Sequence, residues 1–270
     1  MDGFLELPTG VRLHYVQAGA GDDVLLLCGL GDDWTAWEAQ VATLAARFRV
    51  TALDNRGVGR SSLPDGPFDV RDLAADAAAA LDALGIAHAH VAGFSMGGAI
   101  AQELALARPE LVRSLVIVGS WARSDRLFRE TITGAATTAG DAQDAEGWLR
   151  SFLPWVYSHA VYDDGRIDDL VAAALANPYP QETEAFQRTA AAILDHDVLE
   201  RLPGVAAPTL VICGLEDILC PPRHGRQIAA AIPGARLVEL AGQAHQPFQE
   251  DPPGFDALVL GFWDGLALSR

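Results

Sequence analysis

The sequence predicts an α/β fold with a mostly parallel sheet and helices on both of its faces. Segments rich in Val, Leu and Ile recur along the 270 residues, and several are continuously apolar, which is typical of strands buried on both faces. Helix-period stretches separate these segments, and strands that alternate with helices form parallel sheets. The alternation stops over residues 122–202, which predicts an inserted helical region.

The elements are predicted in the following order. Strands are expected at 11–16, 24–28, 48–53, 87–92, 112–118, 208–213 and 235–240. Helices are expected at 34–47, 70–84, 98–108, 223–231 and 254–266. The first two strands are close together in the chain, so an antiparallel hairpin at the sheet edge is predicted for them.

The segment 122–202 predicts a cap placed between two strands of the core. Its short helical patterns are interrupted by Pro154, Pro178 and Pro180, and no convincing buried strand appears in it. The expected division is therefore a core of residues 1–121 and 203–270 and a helical cap, or lid, of residues 122–202.

Composition excludes several classes of function. The net charge is −17 with no lysine, so a basic face for nucleic acid or anionic membrane is not expected, and Schiff-base and P-loop chemistry are excluded. The three cysteines have neither zinc spacing nor an even count, and no ligand set for a metal or cofactor is visible. With no secretion signal or membrane-length apolar run, a cytoplasmic protein is the simplest expectation. The oligomeric state stays open.

The hexapeptide GFSMGG, residues 93–98, predicts a serine nucleophile. It follows an apolar strand and opens a helical pattern, which is the context of a Gly-x-Ser-x-Gly elbow. Such a tight turn leaves little room for side chains on either side of Ser95, and Gly93 and Gly97 supply that room. The alternative is a glycine-rich helix N-terminus without catalytic function.

The sequence also offers a base and an acid for Ser95. His245 follows the last predicted strand, and Asp217 follows the strand before it, so both lie in loops at the carboxyl ends of parallel strands. These ends meet at one edge of the sheet, and the chain order Ser, Asp, His is that of α/β-hydrolases. The neighbouring Glu216 remains an alternative acid, and a surface position remains the alternative for His245.

Four motifs in order give the chain a resemblance to capped α/β-hydrolases over almost its full length. LLLCGLGDDWTAW resembles the oxyanion loop, DNRGVGRSS the Asp-x-Arg-Gly-x-Gly-x-Ser turn, GFSMGG the elbow and GLEDILCP the acid turn. The start of the cap, WARSDRLFRE, and the GLG loop are similar to the group of 3-oxoadipate enol-lactonase and aminoacrylate hydrolase. The resemblance implies an eight-stranded sheet and hydrolysis of a small ester or lactone through an acyl-enzyme, without a cofactor.

The resemblance also assigns the site residues. It implies a catalytic triad of Ser95, His245 and Asp217, with an oxyanion hole formed by the backbone N–H groups of Leu30 and Met96. Two positions depart from the family pattern: Cys28 stands where many members have histidine, and Phe94 stands where His or Leu is common. The oxyanion donor in this loop is a backbone N–H, so the oxyanion hole does not require a histidine side chain at residue 28. Phe94 is expected to pack beneath the elbow.

Specificity and the type of reaction are less defined by the sequence. Side chains that could contact substrate are Trp34, Trp121, Phe152, Trp155 and His159. Aromatic residues at helical spacing are also typical of a core, and His159 and His196 also suit a surface or structural role. The same triad serves thioesterases, carbon–carbon bond hydrolases and acyltransferases, and the fold also serves non-catalytic receptors for small ligands. Ser95 disfavours haloalkane dehalogenases and epoxide hydrolases, which need a carboxylate nucleophile.

Overall fold

The computed structural model of the protein describes residues 1–141 and 144–267. Its centre is one eight-stranded sheet with the strand order β1-β2-β4-β3-β5-β6-β7-β8. The strands are β1 (Asp2–Glu6), β2 (Arg12–Gly19), β3 (Asp22–Leu27), β4 (Phe48–Leu53), β5 (Ala89–Phe94), β6 (Val112–Val118), β7 (Thr209–Gly214) and β8 (Arg236–Leu240). All pairs from β4 through β8 are parallel, which confirms the predicted fold class.

The predicted edge hairpin is wrong in its partners. β2 pairs antiparallel with β1 on one side and with β4 on the other, and β3 lies beyond β4. The sequence pattern missed β1 because this strand has only five residues, and none of them is fully buried. The true hairpin joins β1 to β2 at the edge of the sheet.

Helices lie between the strands from β3 onward. The helices are α1 (Glu38–Leu44), α2 (Val70–Ala83), α3 (Met96–Ala107), α4 (Arg126–Asp141), α5 (Ala145–Phe152), α6 (His159–Asp163), α7 (Arg166–Ala176), α8 (Thr183–Leu194), α9 (Pro222–Ala231), α10 (Pro247–Glu250) and α11 (Pro252–Ala267). The predicted helix 34–47 is shorter than expected, with a 3₁₀ turn over Trp34–Trp37 followed by α1. A capping box defines the start of α2, because Asp69 and Asp72 each accept a backbone N–H of the other.

Alternate residues of β3 separate the core into two layers. Leu25 and Leu27 belong to the cluster that α2 and α3 cover, while Val24 and Leu26 belong to the cluster that α1 and α11 cover. This alternation follows from the two-residue period of a strand, and it requires apolar residues at every position of a strand buried on both faces.

The predicted cap segment, residues 122–202, contains α4 to α8 between β6 and β7. Its buried side chains, among them Phe128 and Ile193, join the same apolar cluster as α3. Asn177 Nδ2 donates a 2.8 Å hydrogen bond to Asp33 Oδ2 in the core. Within residues 1–141 and 144–267, every helix is too short or too polar to span a membrane.

Candidate active site

Ser95 occupies a strained turn between β5 and α3. Its φ of 52° is the one positive φ at a non-glycine residue in the described chain. Such a backbone conformation costs on the order of 1–3 kcal/mol and is maintained only where neighbours enforce it. Here the Ser95 N–H donates to Val118 O at 2.9 Å, and Ser120 Oγ donates to Ser95 O at 2.8 Å. The strain and these bonds fix Ser95 at the carboxyl end of the sheet.

The two glycines that flank the elbow have no room for a side chain. A Cβ at Gly93 would lie 2.2 Å from Gly97 O, and a Cβ at Gly97 would lie 2.1 Å from Leu27 O. Both obstacles are backbone atoms, which cannot rotate away. The spacing of the Gly-x-Ser-x-Gly motif is therefore a requirement of close packing between β3, β5 and α3.

His245 and Asp217 form a buried pair. The distance from His245 Nδ1 to Asp217 Oδ2 is 2.7 Å, and both residues are 2% exposed. The other carboxylate oxygen, Oδ1, accepts the N–H of Cys220 at 2.7 Å, so the acid turn holds the carboxylate in place. An ionised Asp217 makes Nδ1 the donor, which leaves His245 Nε2 as a proton acceptor.

Glu216, the alternative acid, points elsewhere. Its Oε2 lies 2.9 Å from His159 Nδ1, in an ion pair that joins α6 to the acid turn. The His159 side chain is 78% exposed, so it faces solvent instead of a cleft around Ser95. The one-residue register of this turn thus pairs Asp217 with His245 and Glu216 with the exposed His159.

Gly119 connects the pair to the elbow. It follows Val118, the residue that accepts the Ser95 N–H, and its own N–H donates to Ile212 O. A Cβ at Gly119 would lie 2.8 Å from His245 O and 3.2 Å from His245 Nδ1. The imidazole therefore lies against the end of β6, immediately beside the strand that carries Ser95. Close approach and a φ of +50° both require glycine here.

Leu30 lies in a loop that neighbouring polar side chains hold. Asn55 Nδ2 donates to Cys28 O at 3.1 Å, and Asp54 Oδ1 accepts the Trp34 N–H at 2.9 Å. Asp54 and Asn55 belong to the DNRGVGRSS turn, so this turn supports both ends of the loop. Met96, the other predicted donor, is the first residue of α3, where backbone N–H groups lack intrahelical acceptors.

Cys28 is a buried thiol without the surroundings of a nucleophile. Its Sγ donates to Asp33 O at 3.1 Å, and burial, with nearby acidic residues, raises the pKa of the Cys28 thiol. The three cysteines are all buried and unpaired. In the described part of the chain, no three His, Cys, Asp or Glu side chains converge as metal ligands would.

Asp32 is a charged residue near the pair that sequence reasoning did not single out. Burial, followed by the neighbouring charge of Asp33, raises the pKa of Asp32 to about 7, while His245 acts in the opposite direction. The interaction with His245 places the two side chains within electrostatic reach of one another. The residue retains some solvent contact, although protein atoms surround its carboxyl group. The sequence feature that could have indicated Asp32 is its position two residues after Leu30, in the predicted oxyanion loop.

The aromatic candidates for substrate contact lie in different environments. Trp121 is completely buried, packs against Phe128 with ring centroids 4.1 Å apart, and donates from Nε1 to Ser124 Oγ at 2.9 Å. Trp34 is half-buried at the start of its 3₁₀ turn. Trp121 thus has the environment of a core residue, the alternative that the sequence left open.

Phe152 and Trp155 line a groove within the predicted cap segment. This groove, of about 390 Å³, runs between α4 and α5, and its walls do not include Ser95 or His245. A second cleft of about 520 Å³ lies between the 65–68 loop and α8, and it also excludes these two residues. Ser95 itself is 8% exposed, so little of its surface is open to solvent.

Phe94 packs beneath the elbow, as predicted. It is fully buried, and its ring lies 4.6 Å from Phe248 and 5.3 Å from Trp37, measured between centroids. A Cβ at Gly29 would lie 2.6 Å from the Phe94 ring, so the ring also supports the Leu30 loop from below.

Comparison with known families identifies the class of the protein. The profile of the α/β-hydrolase fold family matches residues 23–252. The chain belongs to the α/β-hydrolase fold family. The family resemblance that the four motifs indicated is therefore confirmed, and so is the eight-stranded sheet that it implied.

The relatives of this hydrolase have different described activities. RutD of Azorhizobium caulinodans, a proposed carbamate hydrolase, is 35% identical over 93% of this chain and 94% of its own. The enol-lactonase from Burkholderia xenovorans LB400 has a TM-score of 0.88 at 29% identity, over 97% of this chain and 99% of that chain. BpoC of Mycobacterium tuberculosis, a proposed non-haem bromoperoxidase, is 32% identical over 94% of this chain and 98% of its own.

Proposed function

We propose that this hydrolase cleaves an ester or lactone of a small, largely apolar substrate through an acyl-enzyme on Ser95. The observation that carries the proposal is the buried 2.7 Å pair of His245 and Asp217. His245 lies against Gly119, the residue after the Val118 carbonyl that accepts the N–H of Ser95, whose φ is 52°. A nucleophile beside a base, with the base oriented by a third group, is the arrangement required for covalent acyl transfer.

The mechanism assigns one step to each group. His245 Nε2 takes the proton of Ser95 as Oγ attacks the carbonyl carbon, and then gives that proton to the leaving alkoxide. Asp217 fixes the tautomer and stabilises the imidazolium. The N–H groups of Leu30 and Met96 stabilise the oxyanion, each contributing on the order of 10²- to 10³-fold in rate. Water, activated by His245, then releases the acyl group.

The burial of Ser95 supports a small acyl group. Ser95 is 8% exposed, and the clefts of about 390 and 520 Å³ do not include it. The similarity to an enol-lactonase supports a lactone among the candidate substrates. The similarity to RutD favours a carbamate as the second candidate, since the same attack on a carbonyl carbon applies to it.

The test uses turnover and covalent labelling of the same protein. Wild type is expected to hydrolyse p-nitrophenyl acetate and to react with a small fluorophosphonate at Ser95, whereas Ser95→Ala stays folded and loses both reactions. A parallel series of lactones and carbamates ranks the substrate classes by kcat/KM. Normal turnover by folded Ser95→Ala would refute the assignment, and an inert wild type would favour a non-catalytic ligand receptor.

A matched pair of variants tests the acid. Asp217→Asn favours the wrong imidazole tautomer and is expected to lower kcat by up to roughly 10⁴-fold, by analogy with the serine-protease triad. Glu216→Gln, one residue away, removes only the ion pair with exposed His159 and should change kcat little. The opposite ranking would show that the acid is Glu216.

A further inference from the structure

Glu250 is a buried carboxylate that bonds two separate parts of the molecule. It ends α10, five residues after His245, and is 8% exposed. Its Oε1 accepts the Ala244 N–H at 3.1 Å and the Ser158 N–H at 3.2 Å. Its Oε2 accepts the Ser158 hydroxyl at 2.6 Å. One side chain therefore joins the residue before His245 to the predicted cap segment.

The loop of His245 has further contacts with the same stretch, residues 156–158. The His245 N–H donates to Val156 O at 3.0 Å, and the Tyr157 hydroxyl lies 3.1 Å from Gln246 Oε1 and 2.5 Å from Gln249 Oε1. Direct contacts with residues 156–158 are therefore made by His245, Gln246 and Glu250. Ala244 is linked to the same residues through Glu250 Oε1, which accepts the N–H groups of both Ala244 and Ser158. Displacement of the stretch would break the backbone bond of His245 itself.

The surroundings of Glu250 show that its carboxylate serves as a hydrogen-bond acceptor. Arg166 contacts the main-chain oxygen of Glu250, at 2.8 Å from Nη1, instead of the carboxylate. Burial raises the pKa of Glu250, while the hydrogen bonds from Ser158 and Ala244 and the charge of Arg166 act in the opposite direction. The three hydrogen bonds satisfy this buried group, so it fixes the position of Ala244 relative to Ser158.

We propose that Glu250 is a positioning residue for His245, and that it acts through Ala244 on one side and Ser158 on the other. The residues 156–158 are then part of the structure that orients the base, besides any part the cap has in forming the substrate pocket. This inference rests on the proposed function, in which His245 is the base. A base displaced by about 1 Å can cost about 10²-fold in rate, so the loss falls on kcat.

Three variants separate the two arms of Glu250. Glu250→Ala removes all three bonds and is expected to lower kcat for p-nitrophenyl acetate by about 10- to 100-fold, with KM within about twofold. Glu250→Gln keeps an oxygen for the two N–H groups, and it should restore kcat to within about fivefold of wild type. Ser158→Ala removes the hydroxyl arm alone and should have an intermediate effect. Combined with Glu250→Ala, it should add little, because both changes remove the same bond.

Each kcat is divided by the concentration of serines that a fluorophosphonate labels at completion, so a lower folded fraction does not count as slower chemistry. Glu103→Ala is the matched control, because Glu103 is also a buried glutamate that joins two segments, through a 2.9 Å contact with Arg201. It should lower the melting temperature and leave kcat per labelled serine unchanged.

Three results would overturn the positioning role of Glu250. The first is a kcat for Glu250→Ala within threefold of wild type. The second is a decrease of kcat in Glu103→Ala as large as that in Glu250→Ala, and the third is a kcat of Glu250→Gln as low as that of Glu250→Ala. If Glu250→Ala does not fold, Ser158→Ala and Glu250→Gln decide the question. Failure of the proposed function is distinct, because it appears as absent turnover or labelling in the wild type.

Discussion

At the scale of single residues, the site combines a strained serine with carboxylates in different environments. Asp217 accepts hydrogen bonds from His245 Nδ1 and from one backbone N–H, and Glu250 accepts three hydrogen bonds. Among the described residues, none donates a hydrogen bond to Asp32. Burial destabilises the ionised form of a carboxyl group, and hydrogen-bond donors offset that effect, so burial raises the pKa most where donors are absent. Asp32 is therefore the carboxyl near His245 that we expect to titrate close to neutral pH.

We predict that Asp32 makes substrate selection depend on charge and pH. Its pKa of about 7 means that the carboxyl is neutral below pH 6 and ionised above pH 8. The ionised form repels an anionic substrate, and one like-charge interaction of about 1 kcal/mol corresponds to about fivefold. In wild type, kcat/KM for p-nitrophenyl hydrogen succinate relative to neutral p-nitrophenyl butyrate should fall about fivefold from pH 6 to pH 8.

Asp32→Asn should remove most of that pH dependence. The groups that interact with Asp32 are Asp33, His245, Cys28 and Tyr157, and the variant leaves all four in place. Stability gives a second measurement: the raised pKa means that the folded state binds the Asp32 proton more tightly than the unfolded state. Wild-type stability should therefore fall, relative to Asp32→Asn, as pH rises from about 4 to about 7. An unchanged succinate-to-butyrate ratio in the variant would rule out Asp32 as the selecting charge.

At the scale of secondary-structure elements, the active-site geometry depends on how closely α3 approaches β3. Gly97 is the contact point, with the Leu27 carbonyl oxygen 2.1 Å from where a Cβ would be. Since β3 is also the strand that leads into the Leu30 loop, this contact relates the positions of Ser95 and Leu30. A methyl group at residue 97 would push the two elements apart.

We predict that Gly97→Ala destabilises the fold by roughly 1–3 kcal/mol, the usual cost of overpacking, and also lowers kcat. Gly261→Ala is the control, because Gly261 lies within α11 with open space around its Cβ position. There alanine should stabilise by roughly 0.5–1 kcal/mol through helix propensity. Chemical denaturation measures both changes. A Gly97→Ala protein with wild-type stability would mean that α3 and β3 can separate without cost.

At the scale of the whole molecule, the predicted cap segment and the core share one apolar cluster. Trp121 lies where β6 passes into the segment, in contact with Phe128 of α4 and bonded to Ser124. Its complete burial favours a packing role over contact with substrate. Trp155, in contrast, is 38% exposed beside a groove in the segment.

We predict that Trp121→Ala lowers the free energy of unfolding by about 3–5 kcal/mol, the usual cost of deleting a buried aromatic side chain. Relative kcat/KM among acetate, butyrate and octanoate esters should stay within about twofold of wild type. Trp155→Ala is the matched comparison and should lower stability by less than about 1 kcal/mol. A tenfold change of ester preference in folded Trp121→Ala would instead place the indole at the substrate pocket, as the sequence alone suggested.

The sequence by itself determined the fold class and the identity of Ser95, Asp217 and His245 as candidates. Local rules suffice there, because strand burial appears as continuous apolar runs, and a tight elbow requires glycine at two fixed positions. It could not locate β1, a short strand whose half-exposed residues have no strong pattern, and so it assigned the wrong partner to β2.

Only the tertiary structure decided which side chains meet. The choice between Glu216 and Asp217 depends on a one-residue register in a turn, and the structure decides it because Asp217 contacts His245 whereas Glu216 contacts His159. The bonds of Glu250 to Ser158 join residues 92 positions apart, and no periodicity encodes such a distance. Hydrogen bonds between distant segments depend on packing of the complete chain, whereas strands and glycine turns depend on neighbours in sequence.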